Sequence, residues 1–274
     1  MGLRIGTNIA SIAAQRELAR SEKRTTHALN ALSSGSRIVS AGDDAAGFAV
    51  SETLRGQAAS LVAAKNNAEN AQGMIQVAEG GLNEQNNILI RLRELTVQSA
   101  SDTVSETERQ YLNIEFNQLS QELDRIAKTT LFGSKPLLQG QNQQYQFHLG
   151  TQNKAEDVIT FNMDADTRGG TLGIASLSIS DRDEARGNLQ AIDSAVDKIA
   201  GARAKFGAIQ SRLEIATRNV DQQRENVLAA KSRISDADVA YETSELVAGQ
   251  LAQDIGISVL AQANQNPLRA LKLI

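Results

Sequence analysis

The chain has 274 residues, with 28 basic and 32 acidic side chains for a net charge of −4, and it has no cysteine. Its length allows one or two domains, its mild acidity argues against a nucleic-acid partner, and the lack of thiols excludes disulfides, thiolate zinc sites and cysteine nucleophiles. With Tyr 3, Phe 6 and no Trp, stacking platforms for single-stranded nucleic acid are scarce as well.

At the N-terminus, MGLRIGTNIASIAAQRELAR is interrupted by Arg4, Thr7, Asn8, Gln15, Arg16, Glu17 and Arg20. Neither a signal-peptide core nor a membrane span can be drawn there, and no membrane insertion is expected. Ile5, Ile9 and Ile12, followed by Leu18, Leu29 and Leu32, predict an amphipathic helix. That pattern breaks at SAGDDAAG, where Asp43 and Asp44 sit between Gly42 and Gly47. Every seventh residue from Leu54 then runs Leu61, Ala68, Ile75, Leu82, Leu89 and Thr96, with Ala64, Ala71, Ala78 and Leu92 three places after four of these. A seam kept this long predicts one continuous helix with left-handed supercoiling.

A third helix is predicted from Leu112, Phe116, Leu119, Leu123 and Ile126, with Thr103 and Glu106 or Ser105 and Glu108 offering a capping box upstream. It stops near Gly133, with Pro136 beyond. Tyr145, Phe147 and Leu149 alternate, as do Ile159, Phe161 and Met163, which predicts a β-hairpin near 145–163 around GTQNKAED. The glycine-rich TRGGTLGIASLSIS is irregular until Ser180 to Asp183 cap a second long helix. Its seam is Ile192, Ile199, Phe206, Leu213, Val220, Val227 and Ile234, flanked by Ala195, Ala202, Ile209, Ala216 and Ala230. Each long helix would run about 65 Å, more than a compact globule of this mass accommodates, so a rod is expected.

Ser235-Asp236-Ala237-Asp238 breaks the second long helix, and Val247, Leu251, Ile255 and Val259 at steps of four predict a C-terminal one. In the tail LAQANQNPLRALKLI, Pro267 is expected to end that helix and to leave Leu268, Leu271, Leu273 and Ile274 beyond it. The two breaks lie at matching distances from the termini, so the end segments are expected to pair. The fold class is therefore mainly α, an elongated antiparallel helical bundle with coiled-coil seams, a small β-hairpin and paired terminal helices.

Little in the chain carries catalytic chemistry. The carboxylates of GDDAAG have no other Asp, Glu or His within a few residues to complete a coordination set. The alternative is structural: Asp43 or Asp44 caps the helix starting near Ala45, Gly42 supplies the turn and Gly47 allows close packing. DADTRG at 164–169 resembles the start of a calcium loop but places Arg168 and Ala175 where oxygen ligands are required, which reads as a solvated turn. His27 and His148 are far apart in sequence. No catalytic, metal or cofactor site is expected.

ALNALSSGSRIVSAGDDAAGFAVSETLRGQ, IRLRELTVQSASDT and SRISDADVAYETSELVAGQLAQDIGISVLAQANQNPLRALKLI closely resemble the bacterial flagellin family, over both ends and nearly the whole chain. Between Phe132 and Ser180 there is room for a hairpin and loops, but not for the outer variable domains of larger flagellins. The resemblance implies a filament-core domain made of 1–42 with 236–274, a helical rod over 43–235, and GDDAAG as the joint between them. It implies core-assembly roles for Ile5, Ile9, Ile12, Leu29, Leu32, Leu251, Ile255, Val259, Leu268 and Leu271. The implied function is a structural subunit that polymerises into the flagellar filament, the propeller for swimming motility.

The resemblance further implies secretion of unfolded subunits through the flagellar type III export channel to the extracellular flagellum. Implied partners are other copies of the chain, flagellar cap and hook–filament junction proteins, and an export chaperone on about 236–274. An animal Toll-like receptor for flagellin would recognise Arg91, Leu95 and Glu115, with Ile90 replacing a polar residue common in the family. The alternative class is a non-flagellar coiled-coil adaptor or signalling rod, which stops at dimer or trimer where a head-to-tail interface makes filaments. Enzyme activity as an insert in the variable region has no room here.

Overall fold

In this computed structural model the backbone is described for residues 7–271 and the side chains for residues 7–265. The chain forms α1 (Ile9–Ser34), α2 (Ala45–Ser99), α3 (Glu106–Thr129), strands β1 (Leu131–Phe132), β2 (Lys135–Pro136) and β3 (Gln143–His148), then β4 (Val158–Met163), the single turn α4 (Gly169–Leu172), α5 (Arg182–Ser235) and α6 (Val239–Leu271). It divides into two compact units, Met1–Ala58 with Glu225–Ile274, and Ala59–Arg224.

In the unit 59–224, α2 and α5 run antiparallel, tied by Lys65–Asp221 at 2.9 Å and Arg93–Asp193 at 2.7 Å. The heptad positions face inward. Leu61, Ile75, Leu82, Leu89 and Leu92 of α2, Phe116 and Leu123 of α3, and Ile192, Ile199, Phe206 and Leu213 of α5 are all buried. At about 1.5–3 kcal/mol for each fully buried large side chain, this core dominates the stability of the unit.

Of the two possible capping boxes at the start of α3, the chain uses Ser105 with Glu108. The Ser105 hydroxyl accepts the Glu108 amide and the Glu108 carboxylate accepts the Ser105 amide at 2.8 Å. Arg109, itself buried, donates to the carbonyls of Ser99 at 2.8 Å and Ser101 at 2.9 Å. It thereby satisfies the last carbonyl of α2 and one in the turn that follows, and fixes the reversal into α3.

The predicted hairpin is β3–β4, antiparallel, with Tyr145 opposite Phe161 and Phe147 opposite Ile159. Tyr145 and Met163 are buried, and Phe161 packs on Phe206 of α5 with ring centroids 5.5 Å apart. A second hairpin, β1–β2, with two residues in each strand, turns through Gly133 at φ +62°, where the sequence pattern predicts a helix stop and no strands. Asp164 pairs with Lys205 at 2.6 Å and Asp166 with Arg168 at 2.6 Å, so DADTRG forms ion pairs to side chains.

In the other unit, α1 lies antiparallel to α6, linked from Asn8 to the Ala263 carbonyl at 2.9 Å and from Ser21 to the Gly249 carbonyl at 2.8 Å. The buried seam is made of small and polar residues. Ser11, Ser21, Thr25, Ala28 and Ala31 of α1 are buried, facing a column of α6 that repeats every seven residues as Glu242, Gly249, Gly256 and Ala263. A Cβ at Gly249 would stand 2.5 Å from Thr25 Oγ1, and one at Gly256 3.3 Å from Leu18 Cδ1. The helices approach so closely that a side chain at Gly249 would have to displace Thr25 and one at Gly256 would crowd Leu18.

One expectation is corrected. Pro267 does not end the C-terminal helix, because α6 continues through it to Leu271. A proline within a helix leaves the carbonyl four residues earlier without its amide donor, and that carbonyl, Ala263, receives the Asn8 side chain instead.

The Asp166 carboxylate accepts hydrogen bonds from the Arg168 guanidinium, the Arg168 amide and Thr171 Oγ1, and these outweigh the cost of partial burial to hold its pKa at about 2. A depressed folded-state pKa contributes stability that is complete above the ordinary carboxylate value of about 3.9 and is lost as pH falls through about 2. Asp166→Asn is therefore expected to lower stability at pH 7 by about 2 kcal/mol and to converge with the parent in strong acid. Urea titrations at several pH values check this.

Candidate functional site

The segment between α1 and α2 is bonded to the break between α5 and α6. Gly35, left-handed at φ +68°, ends α1. The Arg37 amide then donates to the Ser235 carbonyl at 2.7 Å, the Ala237 amide to the Gly35 carbonyl at 3.0 Å, and Ser36 Oγ to the Ser235 carbonyl at 2.8 Å. The Arg37 guanidinium donates to the Ile234 carbonyl at 2.7 Å. One short antiparallel bridge, Ser36 with Asp236, thus joins the two breaks.

Both aspartates of GDDAAG serve the backbone. Asp43 accepts the amides of Ser40 at 2.8 Å and Val39 at 3.1 Å. The Ser40 bond holds the Asp43 carboxyl below its usual range, helped by His27, whose Nδ1 is 3.7 Å away. This contribution is present above the ordinary carboxylate range and fades as pH falls through the lowered value. Asp44 is the N-cap of α2: its carboxylate accepts the Gly47 amide at 2.9 Å, and its carbonyl accepts the Phe48 amide. A Cβ on Gly47 would collide with the Asp44 carboxylate and stand 2.8 Å from Ile38 Cδ1. Gly42 lies in the turn with an ordinary φ, and a Cβ there would meet only Ser40 Oγ at 3.5 Å. Asp238 repeats the arrangement at the start of α6, accepting the Ala240 amide at 2.9 Å. Among the described residues no group of three or more His, Asp or Glu side chains could hold a metal ion, and no helix is long and apolar enough to cross a membrane.

The second candidate surface is the outer face of the terminal helices. Ile9, Ile12 and Leu29 of α1 are exposed, as are Leu251 (58%), Ile255 (64%) and Val259 of α6; Leu32 is half-buried. Val239, Tyr241, Val247 and Ile257 extend the exposed face of α6. The seam uses other positions, so among the described residues these large side chains have no partner face. Ile5 lies outside the described residues, as do the side chains of Leu268 and Leu271.

The third is the α2–α3 face. The Arg91 guanidinium donates twice to Glu115, at 2.9 and 2.7 Å, and once to Glu94 at 3.1 Å. The Glu115 bonds are the main reason its pKa is raised. Leu95, expected on a recognition surface with them, is fully buried in the core, so only Arg91 and Glu115 reach solvent. Sequence reasoning missed Gln85, Arg109 and Asn8. Gln85 occupies the same heptad column as Ala78 and Leu92, a polar interruption that was visible in the pattern.

The chain matches the description "Bacterial flagellin N-terminal helical region" over residues 5–143 and "Bacterial flagellin C-terminal helical region" over residues 189–274. It is 37% identical to a flagellin of Halalkalibacterium halodurans over 270 residues, covering 98% of this chain and 99% of that one. It is 36% identical to the flagellar filament 33 kDa core protein of Treponema phagedenis over 293 residues, covering 98% and 99%. Among solved structures, Bacillus cereus flagellin aligns with a TM-score of 0.51 at 28% identity, over 61% of this chain and 94% of that chain.

The cap geometry predicts a coupled pair. Asp44→Ala is expected to cost about 1 kcal/mol and Asp44→Asn a fraction of that. Gly47→Ala is expected to cost about 1–2 kcal/mol because its methyl displaces the same carboxylate. The double variant Asp44→Ala/Gly47→Ala is then less damaged than the two single losses combined, a shortfall that denaturant melts of the four proteins read directly.

Proposed function

The chain belongs to the bacterial flagellin family, and on that premise we propose that its terminal helix pair is the filament-core domain through which subunits pack. As a flagellin it is a structural subunit of the extracellular flagellar filament, a self-polymer and not an enzyme. Membership removes the adaptor alternative.

The observation that carries the core assignment is the exposed apolar stripe on α6, Val247, Leu251, Ile255 and Val259, outside a seam already closed by small residues. Such a face needs a covering surface, and in a homopolymer neighbouring copies supply it. On this reading residues 1–42 with 236–274 form the core domain, 43–235 the helical rod, and Gly42, Asp43, Asp44 and Gly47 the joint. Ile9, Ile12, Leu29 and Leu32 contribute from α1, with Ile5, Leu268 and Leu271 assigned to the same packing. Subunits pass unfolded through the type III export channel, with an export chaperone covering 236–274 until the apolar face meets its neighbours. Assembly proceeds under the cap from the hook–filament junction proteins. The recognition surface for an animal Toll-like receptor is assigned to Arg91, Leu95 and Glu115, of which Arg91 and Glu115 reach solvent.

Leu251→Asp/Ile255→Asp tests the core assignment. Losing burial of two aliphatic side chains, about 1.5–3 kcal/mol each, is expected to raise the critical concentration for polymerisation more than about a hundredfold while leaving the melt of the 59–224 unit unchanged. Normal filaments from this variant by negative-stain microscopy would remove the assignment. For the receptor, Arg91→Ala/Glu115→Ala is expected to lower activation of receptor-bearing cells; activation equal to that of the parent protein would end the carry-over.

A further inference from the structure

Asn8 makes two bonds with opposite ends of one amide. Its Oδ1 accepts the Ser11 amide at 3.1 Å and so caps α1, while its Nδ2 donates to the Ala263 carbonyl in α6 at 2.9 Å. Ala263 lies four residues before Pro267, within a helix that continues to Leu271. In an unbroken helix the amide of residue 267 would donate to that carbonyl, and proline has no amide hydrogen. Ala263 is buried, so water is a poor substitute. The side chain of Asn8 fills the vacancy from across the seam.

We propose that Asn8 is the surrogate donor for the amide that Pro267 lacks, and that this bond fixes the register of α1 against α6. The geometry is specific to an amide side chain. Asp, Ser and Thr cap a helix about as well as Asn, but only Asn and Gln present an acceptor and an N–H donor together, and Asn is the one of these two favoured at an N-cap. Proline in turn makes the contact directional. Ser21 also donates across this seam, to the Gly249 carbonyl, but Gly249 has ordinary helix around it, so a slip by one heptad could re-form a similar bond. The carbonyl opened by Pro267 occurs at one position only, because the other proline of the chain, Pro136, is in β2. A register error therefore leaves both the Asn8 amide and the Ala263 carbonyl without this partner.

The test is a double-mutant cycle in the full-length chain, with critical concentration for polymerisation as the first readout. Asn8→Asp keeps the cap and removes the donor, and Asn8→Ser does so without adding charge. Pro267→Ala restores the missing amide. In the parent background either Asn8 variant is expected to raise the critical concentration about fivefold, the size of one buried hydrogen bond. In the Pro267→Ala background the same change is expected to have an effect of less than about twofold. Amide exchange is the second readout: Ser11 protection is expected to persist in Asn8→Asp, while protection of residues 259–265 falls in the parent background only. Equal effects in both backgrounds would reduce Asn8 to a helix cap and overturn the proposal, as would no effect in either.

The first readout rests on the filament-core reading, whereas amide exchange in the free chain does not. Failure of the parent protein to polymerise would strike that reading and leave the exchange cycle to decide this one.

Discussion

The close approach of α1 and α6 sets what the rest of the chain can do. Gly249 against Thr25 and Gly256 against Leu18 leave no room for side chains of ordinary core size. A seam of alanine, serine, threonine and glycine removes little apolar area from water, roughly one methyl, or about 0.8 kcal/mol, for each alanine. The larger residues, Ile9, Ile12, Leu251 and Ile255, are excluded from that seam and turn outward. Two consequences come from one constraint: the pair is weak by itself, and it presents an apolar surface suited to further partners. A subunit that joins a polymer benefits from both.

The same seven-residue period has the opposite result in the unit 59–224. There Leu, Ile and Phe alternate with alanines at the facing positions, and the core closes within the chain. Gln85 interrupts it in a specific way, donating to the carbonyls of Leu123 in α3 at 3.1 Å and Thr167 in the loop at 3.3 Å. A slip of α2 by one heptad would place Ala78 or Leu92 opposite those acceptors, so the polar residue specifies the register that its apolar neighbours would otherwise leave ambiguous. Asn8 and Pro267 act comparably on a seam with even less apolar content.

The long helices were legible because their seams are large, apolar and regular, and the β3–β4 hairpin because its alternation is strict. The seam of α1 and α6 was not. An apolar periodicity search follows Ile9, Ile12, Leu251 and Ile255, which here mark the outer face, while the true seam of Ser11, Ser21, Thr25, Gly249 and Gly256 carries no hydrophobic signal. Leu95 misled for the opposite reason. A motif places it beside Arg91 by sequence, and it lies outside the two seam columns of α2, yet it is fully buried in the core. Pro267 was read by a local rule, and the rule gave way to a donor 255 residues away that no local pattern can reveal. At GDDAAG the local rule was sufficient, because capping geometry depends only on the next few amides.

That sequence separation invites the view that chain closure is what makes the terminal pair weak. The magnitudes decide otherwise. Once Lys65 and Asp221 have paired within the other unit, the loop closed by Asn8 and Ala263 falls from 255 residues to about 100, and the entropic difference is only about 0.8 kcal/mol. One exposed aliphatic side chain of α6 would contribute two to four times that on burial, about 1.5–3 kcal/mol. Closing the chain ends together is therefore the minor cost, and the missing apolar contact is the major one. The pair gains most from surfaces it does not contain, so burial of Leu251 and Ile255 would stabilise it more than any shortening of the path of the chain that brings α1 to α6.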